Sequence, residues 1–116
     1  MQEITFGEAL NQAIKEEMQR DPSVFVMGES IRGGVYGVTG GLSQEFGDER
    51  IIDTPLSETG FMGAAVGAAA VGMRPIVGSL SSFMWVAMDQ LISQAAKMRY
   101  MFGGQVSLPV VYRAGI

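Results

Sequence analysis

The spacing of apolar and polar residues predicts helices and strands that follow one another along the chain. Thr5 and Glu8 stand at the spacing of a capping box, and apolar residues then recur at helical intervals as far as Met18. Residues 21–23 contain a proline and should end this helix. Residues 24–27 form a continuous apolar run, which is typical of a strand buried on both faces.

The rest of the chain repeats this order. The glycine-rich segment 28–41 should be a long loop, and residues 58–73 and 83–100 should be helices. Shorter elements are expected at residues 42–46 (helical turn) and at 51–52, 75–80 and 108–112 (strands). Strands alternating with helices predict an α/β fold, a parallel sheet with helices on both faces. We expect residues 1–116 to be one domain, incomplete at its C-terminal end, because the last strand finishes where a doubly wound fold places a functional loop.

The predicted helix over residues 58–73 is unusual in its glycine content. Glycine costs about 1 kcal/mol in a helix interior, so something must offset the presence of Gly63 and Gly67. A spacing of four between small residues allows a neighbouring helix to approach closely. We therefore expect close helix packing here.

Composition excludes several classes of function. Hydrophobic residues make up 47% and charged residues 17% of the chain, which argues against disorder. The nine methionines suit either a packed core or an adaptable surface against a partner. A net charge of −4 without a basic stripe argues against nucleic-acid binding, and the absence of cysteine and histidine excludes thiol and imidazole chemistry within the chain. No signal peptide or sufficiently long apolar span is visible, so an intracellular, soluble protein with no membrane partner is expected.

Candidate chemistry follows from the predicted sheet, because ligands in open α/β folds bind beyond the carboxyl ends of the strands. Polar residues stand at three such ends, in segments 28–30, 53–58 and 79–83. This arrangement puts Glu29 and Glu58 on the same rim. By position alone, either could equally be a solvated loop carboxylate or a helix-capping partner. Neither a dinucleotide fingerprint nor a phosphate-binding loop is present, and nothing resembles a metal cluster.

Several motifs in a fixed order are more specific than this pattern. They are VFVMGE at 24–29, GGVY at 33–36, RIIDTPLSETG at 50–60, GAAVG at 63–67, DQ at 89–90 and RYMFGGQ at 99–105. The chain thereby resembles the pyrimidine-binding domain of the β subunits of pyruvate, acetoin and branched-chain 2-oxo acid dehydrogenases. These subunits belong to the transketolase-like group of thiamine diphosphate enzymes. The resemblance covers essentially the whole chain, and the DTPLSE-x-G block is its most specific part.

The resemblance implies that Glu58 is the catalytic residue that activates the cofactor. A glutamate at this position hydrogen-bonds N1′ of the aminopyrimidine and favours the tautomer whose 4′-imino group removes the thiazolium C2 proton. This role requires a raised pKa. The helix that Glu58 opens would favour its charged form, so burial must outweigh the helix dipole. The glycine- and alanine-rich helix and Phe83 could supply an apolar pocket for it.

The same resemblance implies two further cofactor-site residues. Phe83 would lie against the aminopyrimidine ring, and Glu29 would join an acid-lined passage between paired active sites. The plainer alternatives are a core phenylalanine and a loop carboxylate. The chain also departs from the family, since Gly78 stands near a position that usually holds glutamate and the segment 78–83 is one residue short.

Partners and cofactor follow from the resemblance as well. It implies thiamine diphosphate, with Mg²⁺ and the diphosphate held by an α subunit in an α2β2 assembly with a second β subunit. A lipoyl-bearing acyltransferase component would receive the acyl group, in the cytoplasm or, in a eukaryote, in the mitochondrial matrix. The family's active-site histidine lies beyond residue 116, so the isolated chain should be inactive. Two alternatives stay open: a non-catalytic module that associates through the glycine-rich helix, and a transketolase-like thiamine enzyme with another acceptor.

Overall fold

A computed structural model describes residues 3–35 and 37–116 of the chain; the tyrosine of the GGVY segment, Tyr36, lies outside the described residues. The helices are α1 (Phe6–Arg20), α2 (Leu42–Phe46), α3 (Glu58–Ala70), α4 (Ser81–Met84) and α5 (Met98–Met101). Between α4 and α5 lie a 3₁₀ turn (Trp85–Ala87) and a π-helical segment (Asp89–Ala95). The strands are β1 (Val24–Gly28), β2 (Ile51–Asp53), β3 (Arg74–Leu80) and β4 (Val111–Gly115).

The four strands form one parallel sheet in the order β2-β1-β3-β4. In this register Gly28 of β1 lies opposite Gly78 of β3, and Gly78 lies opposite Arg113 of β4. Helices lie on both faces, so the predicted α/β fold is confirmed. The carboxyl ends of all four strands meet at one edge of the sheet.

Two hydrophobic cores sandwich the sheet, and β1 contributes to both. Val24 and Val26 belong to the core beneath α1, whereas Phe25 and Met27 belong to the core beneath α3. All five β1 residues are buried, as the continuous apolar run predicts. The central strand therefore has no solvent-facing side.

The N-terminus of α1 has the predicted capping box. The backbone N–H of Glu8 donates to Oγ1 of Thr5 at 3.2 Å, and the backbone N–H of Thr5 donates to the Glu8 carboxylate at 2.7 Å. These two bonds satisfy amide groups that the first helical turn leaves without an intrahelical partner.

Arg50 joins three elements at the amino end of the sheet. Its guanidinium donates to the carbonyl oxygens of Met18 at 2.9 Å, Asp21 at 3.0 Å and Val24 at 3.0 Å, which lie at the end of α1 and the start of β1. It also lies over the ring of Phe46 at 5.3 Å. The sequence did not predict this role, because it depends on contacts with residues far away in the chain.

The loop that follows β1 contains no helix or strand in the part that the structure describes, as predicted. It is nevertheless well anchored. Ile31 and Val38 are buried in the core beneath α1. The side chain of Asn11 in α1 donates to the carbonyl oxygen of Val38 at 2.7 Å, and buried Thr39 donates to that of Ile31 at 2.8 Å.

The prediction of one continuous helix over residues 83–100 is wrong. The winding changes three times, and in the π segment the N–H of Ala96 donates to the carbonyl oxygen of Leu91 at 3.0 Å. This segment packs on α3, where a Cβ at Gly63 would lie only 3.3 Å from Cγ of Gln90. With this altered winding, Ile92 is 50% exposed.

The last strand also begins later than expected, at Val111. Pro109 has no N–H to give to a neighbouring strand, so pairing starts only beyond it. None of the helices in the described ranges is long and apolar enough to cross a membrane.

We predict that Arg50→Met lowers the free energy of unfolding by about 2 kcal/mol, because three part-buried carbonyl groups lose a charged donor. Urea denaturation followed by circular dichroism measures this change. Arg20→Met is the matched control, because its exposed ion pair with Glu17 should contribute little. Equal losses in the two variants would contradict the role given to Arg50.

Candidate functional site

The site predicted from the sequence lies at the carboxyl edge of the sheet. Glu29 directly follows β1, Glu58 opens α3 after β2, and Phe83 lies in α4 after β3. The parallel topology brings these three segments to one edge. The structure therefore places all three predicted residues on the same rim.

Glu29 is the most buried carboxyl group at this edge. Its side chain is only 8% exposed, and its Oε1 atom has no hydrogen-bond partner within the described residues. Gly28, the residue before Glu29, explains why this side chain is buried. A Cβ at Gly28 would lie 2.2 Å from the carbonyl oxygen of Gly78, so only glycine lets β1 come this close to β3.

The carboxyl groups of Glu29 and Glu58 are neighbours. Burial raises the pKa of Glu29, and the negative charge of Glu58 and a hydrogen bond between the two side chains raise it further. The adjacent negative charge of Glu58 thus disfavours the ionised form of Glu29. The sequence predicted the shared rim but not this direct contact.

The pocket that was expected around Glu58 is not closed by this chain. Glu58 is only partly buried, and the buried member of the pair is Glu29. The ring of Phe83 is 43% exposed and therefore does not cover Glu58 from solvent. Phe83 is thus not a core phenylalanine in this chain, and its face is available to a ligand or a second chain.

The first turn of α3 is closely packed where the DTPLSE-x-G block ends. A Cβ at Gly60 would lie 2.9 Å from Oγ of Ser57, which precedes the helix. The hydroxyl of Thr59 donates to the carbonyl oxygen of Val86 at 3.3 Å and ties this turn to the 3₁₀ segment. These contacts hold the backbone that carries Glu58.

Gly78, which stands near the position where the resemblance leads us to expect a glutamate, lies opposite a cation. Arg113 is half-buried, burial lowers its pKa, and within the described residues it has no ion pair or hydrogen bond. A Cβ at position 78 would lie 3.0 Å from Cδ1 of Ile31 and 3.3 Å from a guanidinium nitrogen of Arg113. Ile31 thus fills the space that a side chain at position 78 needs.

The sequence interpretation missed Thr54 and Arg113. The hydroxyl of Thr54 is buried and, within the described residues, has no hydrogen-bond partner, although the residue stands in the most specific motif. Its position in that motif was the available signal. Arg113 could be found only from the strand register, which the sequence does not reveal.

The concave regions of the surface lie elsewhere. The groove with the most apolar lining, about 330 Å³, lies at the amino ends of the strands beside Arg74 and Pro109, and two others lie near residues 96–104 and 105–109. None of the three includes Glu29, Glu58 or Phe83. A rim that a second chain completes need not be a cavity in one chain. Within residues 3–35 and 37–116, no three acidic side chains are grouped to hold a metal ion.

Comparison with known proteins identifies the family. Residues 2–116 match the transketolase pyrimidine-binding domain family, which is nearly the entire chain. The chain belongs to this family. Its parallel sheet in the order β2-β1-β3-β4 is therefore that of a pyrimidine-binding domain.

Relatives of known function are β subunits. The chain is 53% identical over 114 residues to the pyruvate dehydrogenase E1 component subunit beta of Rickettsia bellii, covering 96% of the chain and 35% of the relative. It is 53% identical over 119 residues to the acetoin:2,6-dichlorophenolindophenol oxidoreductase subunit beta of Cupriavidus necator, covering 91% of the chain and 35% of the relative. The corresponding mitochondrial pyruvate dehydrogenase subunit of Bos taurus is 49% identical, with 96% and 32% covered. The chain thus spans about a third of the length of these relatives.

A solved structure supports the fold independently. A split-gene transketolase, described as an inactive beta4 tetramer, aligns with a TM-score of 0.69 at 23% identity and covers 92% of this chain and 32% of that one. At this identity the likeness shows the fold alone.

We predict opposite pH trends for two amide substitutions. Because the pKa of Glu29 is raised, its ionisation costs stability as pH rises from the ordinary glutamate value of 4.5. Glu29→Gln should therefore gain stability relative to the wild type between pH 4 and pH 7. Glu8 has a pKa lowered by its bonds to Thr5, so Glu8→Gln should lose relative stability over the same range. Urea unfolding at several pH values measures both, and the same sign for both variants would refute the assignment.

We further predict that Gly78→Glu is tolerated only when Ile31 is shortened. Alone, it should cost about 2 kcal/mol through overpacking, and Ile31→Val alone should cost about 1 kcal/mol. Together they should cost less than the sum, because removing Cδ1 lets the new carboxylate reach Arg113. Ile51→Val in the same core is the control, and it should combine additively with Gly78→Glu. If Gly78→Glu combined additively with Ile31→Val as well as with Ile51→Val, the side chains at positions 31 and 78 would not compete for the same space.

Proposed function

We propose that this chain is part of the β subunit of a thiamine-diphosphate-dependent 2-oxo acid (pyruvate-like) or acetoin dehydrogenase decarboxylase component, and that Glu58 activates the cofactor. The observation that carries the proposal is the contact between buried Glu29 and partly exposed Glu58 at the carboxyl edge. A carboxyl group at a ligand-accessible rim, with a second carboxyl group beside it, is what an acid–base role requires. The names of the relatives, all β subunits of oxidoreductase components, point the same way.

The residues at the rim fit the aminopyrimidine half of thiamine diphosphate. Glu58 offers a carboxyl group to a ring nitrogen, and the half-exposed face of Phe83 offers a surface for a flat heteroaromatic ring. The unpartnered oxygen of Glu29 shows that the polar centre is incomplete within the described chain. The diphosphate and Mg²⁺ would be held by the α subunit.

Thiamine diphosphate, when bound, supplies an acidic thiazolium C2–H and its own amino group as the base. Glu58 would hold the pyrimidine at N1′ and keep a proton at that atom, which would favour the basic form of the amino group. Burial and the charge of Glu58 raise the pKa of Glu29 beside it, which favours the protonated form of Glu29 and limits repulsion between the two carboxyl groups. Phe83 orients the ring. The acid-lined passage proposed for Glu29 would continue from this pair towards a second active site.

The assembly we propose is an α2β2 heterotetramer that delivers its acyl group to a lipoyl-bearing acyltransferase component. Large apolar side chains stay exposed between α4 and the end of α5, including Trp85 at 72%, Tyr100 at 89% and Met101 at 68%. Such a surface is typical of one that another subunit covers. The compartment would be the cytoplasm, or the mitochondrial matrix as in the Bos taurus relative.

A second candidate function is a non-catalytic interaction module. One face of α3 carries Gly60, Ala64 and Gly67, all exposed, and nothing lies within 4 Å of a Cβ at Gly67. A helix could pack closely on this face without any chemistry. Calorimetry with thiamine diphosphate separates the candidates: binding in the presence of an α subunit supports the enzyme, and no binding in any mixture supports the module.

We predict that Glu58→Gln, in a complex assembled with the α subunit, slows cofactor C2–H exchange at least about 100-fold, because general acid–base groups typically contribute that much. Exchange is measured by NMR after dilution into deuterated buffer. The control is Glu49→Gln, a matched change at an exposed glutamate outside the rim, which should leave exchange unchanged. Wild-type exchange in Glu58→Gln would refute the proposed role.

A further inference from the structure

Thr54 is a partly buried residue with a buried hydroxyl for which the mechanism above has no use. It follows β2 in the DTPLSE-x-G block, and its hydroxyl oxygen is shielded from solvent. No group in the described part of the chain hydrogen-bonds to this hydroxyl. A buried hydroxyl left without a partner costs free energy, so an unpartnered one needs an explanation.

Glu29, which lies close to Thr54, has a buried acceptor oxygen that also lacks a hydrogen-bond partner. The backbone N–H of Thr54 donates to the carbonyl oxygen of Gly28 at 3.0 Å, so Thr54 lies beside the peptide that leads into Glu29. Glu29 carries the other unpartnered oxygen at this edge, its buried Oε1. A hydroxyl can donate and a carboxyl oxygen can accept.

We infer that Thr54 is a positioning residue for Glu29: its hydroxyl donates to one ordered water, and that water donates to Oε1 of Glu29. A bond to Oε1 makes that oxygen the acceptor and leaves the proton of Glu29 on the other oxygen, which then donates to Glu58. The result is a directed chain from Thr54 through Glu29 to Glu58. The inference deepens the proposed function and rests on it for the role of Glu58.

Two other charged side chains close to Thr54 and Glu29, those of Asp53 and Arg32, are already engaged. Asp53 is exposed and accepts from the backbone N–H of Arg32 at 2.9 Å. The Arg32 guanidinium donates to the carbonyl oxygens of Ile51 and Asp48. Glu58 is therefore the ionisable side chain that acts on Glu29 from a neighbouring element.

Thr54→Val removes the hydroxyl with little change of shape, and Thr54→Ser keeps it. In the full chain labelled with ¹³C at glutamate carboxyls, the titration midpoint of Glu29 should rise in Thr54→Val, because its charged form loses a donor. Thr54→Ser should keep the wild-type midpoint. In the complex with the α subunit, Thr54→Val should slow C2–H exchange roughly fivefold, the equivalent of one neutral hydrogen bond.

The two readouts separate this inference from the proposed function. A midpoint that rises only in Thr54→Val supports the positioning role, even if exchange is unaffected in every variant including Glu58→Gln, which would refute only the proposed function. A Glu29 midpoint that is the same in Thr54→Val and Thr54→Ser overturns the positioning role. Well-dispersed amide spectra of both variants confirm that the comparison is made between folded chains.

Discussion

The close contact of β1 and β3 at Gly28 and Gly78 determines the shape of the site. At this level neither strand has a side chain, and a Cβ at Gly28 would lie 2.2 Å from a carbonyl oxygen of β3. Ile31 packs into the space above both glycines, which draws the loop after β1 into the core beneath α1. Asn11 and Thr39 then fix that loop by hydrogen bonds. Glu29 is buried because the backbone on both sides of it is held in this way.

An acid buried beside a second acid is a local source of instability. Desolvation and the charge of Glu58 both disfavour ionised Glu29. The fold tolerates this because β1 is covered on both faces and contributes to two cores. Strain of this kind concentrates at functional sites, where stability and reactivity make opposite demands. The rim of this sheet is consistent with that pattern, since Glu29, whose ionised form is disfavoured, lies beside Glu58, the proposed acid–base residue.

Much of the fold was predictable, because local rules decide it. The capping box at Thr5, the buried run of β1 and the order of strands and helices all follow from side-chain type and spacing. The π-helical segment was not predictable, because the helical period of its apolar residues gives no sign of the packing of Gln90 on Gly63. The late start of β4 could have been read from Pro109, whose missing N–H delays pairing.

The sequence predicted which residues lie at the site but not how deeply each of them is buried. The motif around Glu58 and the topology rule together placed Glu29, Glu58 and Phe83 on one rim, where the structure also has them. Which carboxyl is buried depends on the close approach of the strands, and this approach is a property of the register. The same is true of Arg113, which meets Gly78 only through the pairing of β3 and β4.

The most direct test of this account is a ¹³C NMR titration of the Glu29 carboxyl in the wild type and in Glu58→Gln. The account predicts a midpoint above the ordinary glutamate value of 4.5 in the wild type. In Glu58→Gln the midpoint should fall, because the neighbouring charge is gone, but it should stay above that value because burial remains. A Glu29 midpoint at or below the ordinary value, unmoved by the substitution, would contradict the paired carboxyl groups on which the proposed chemistry depends.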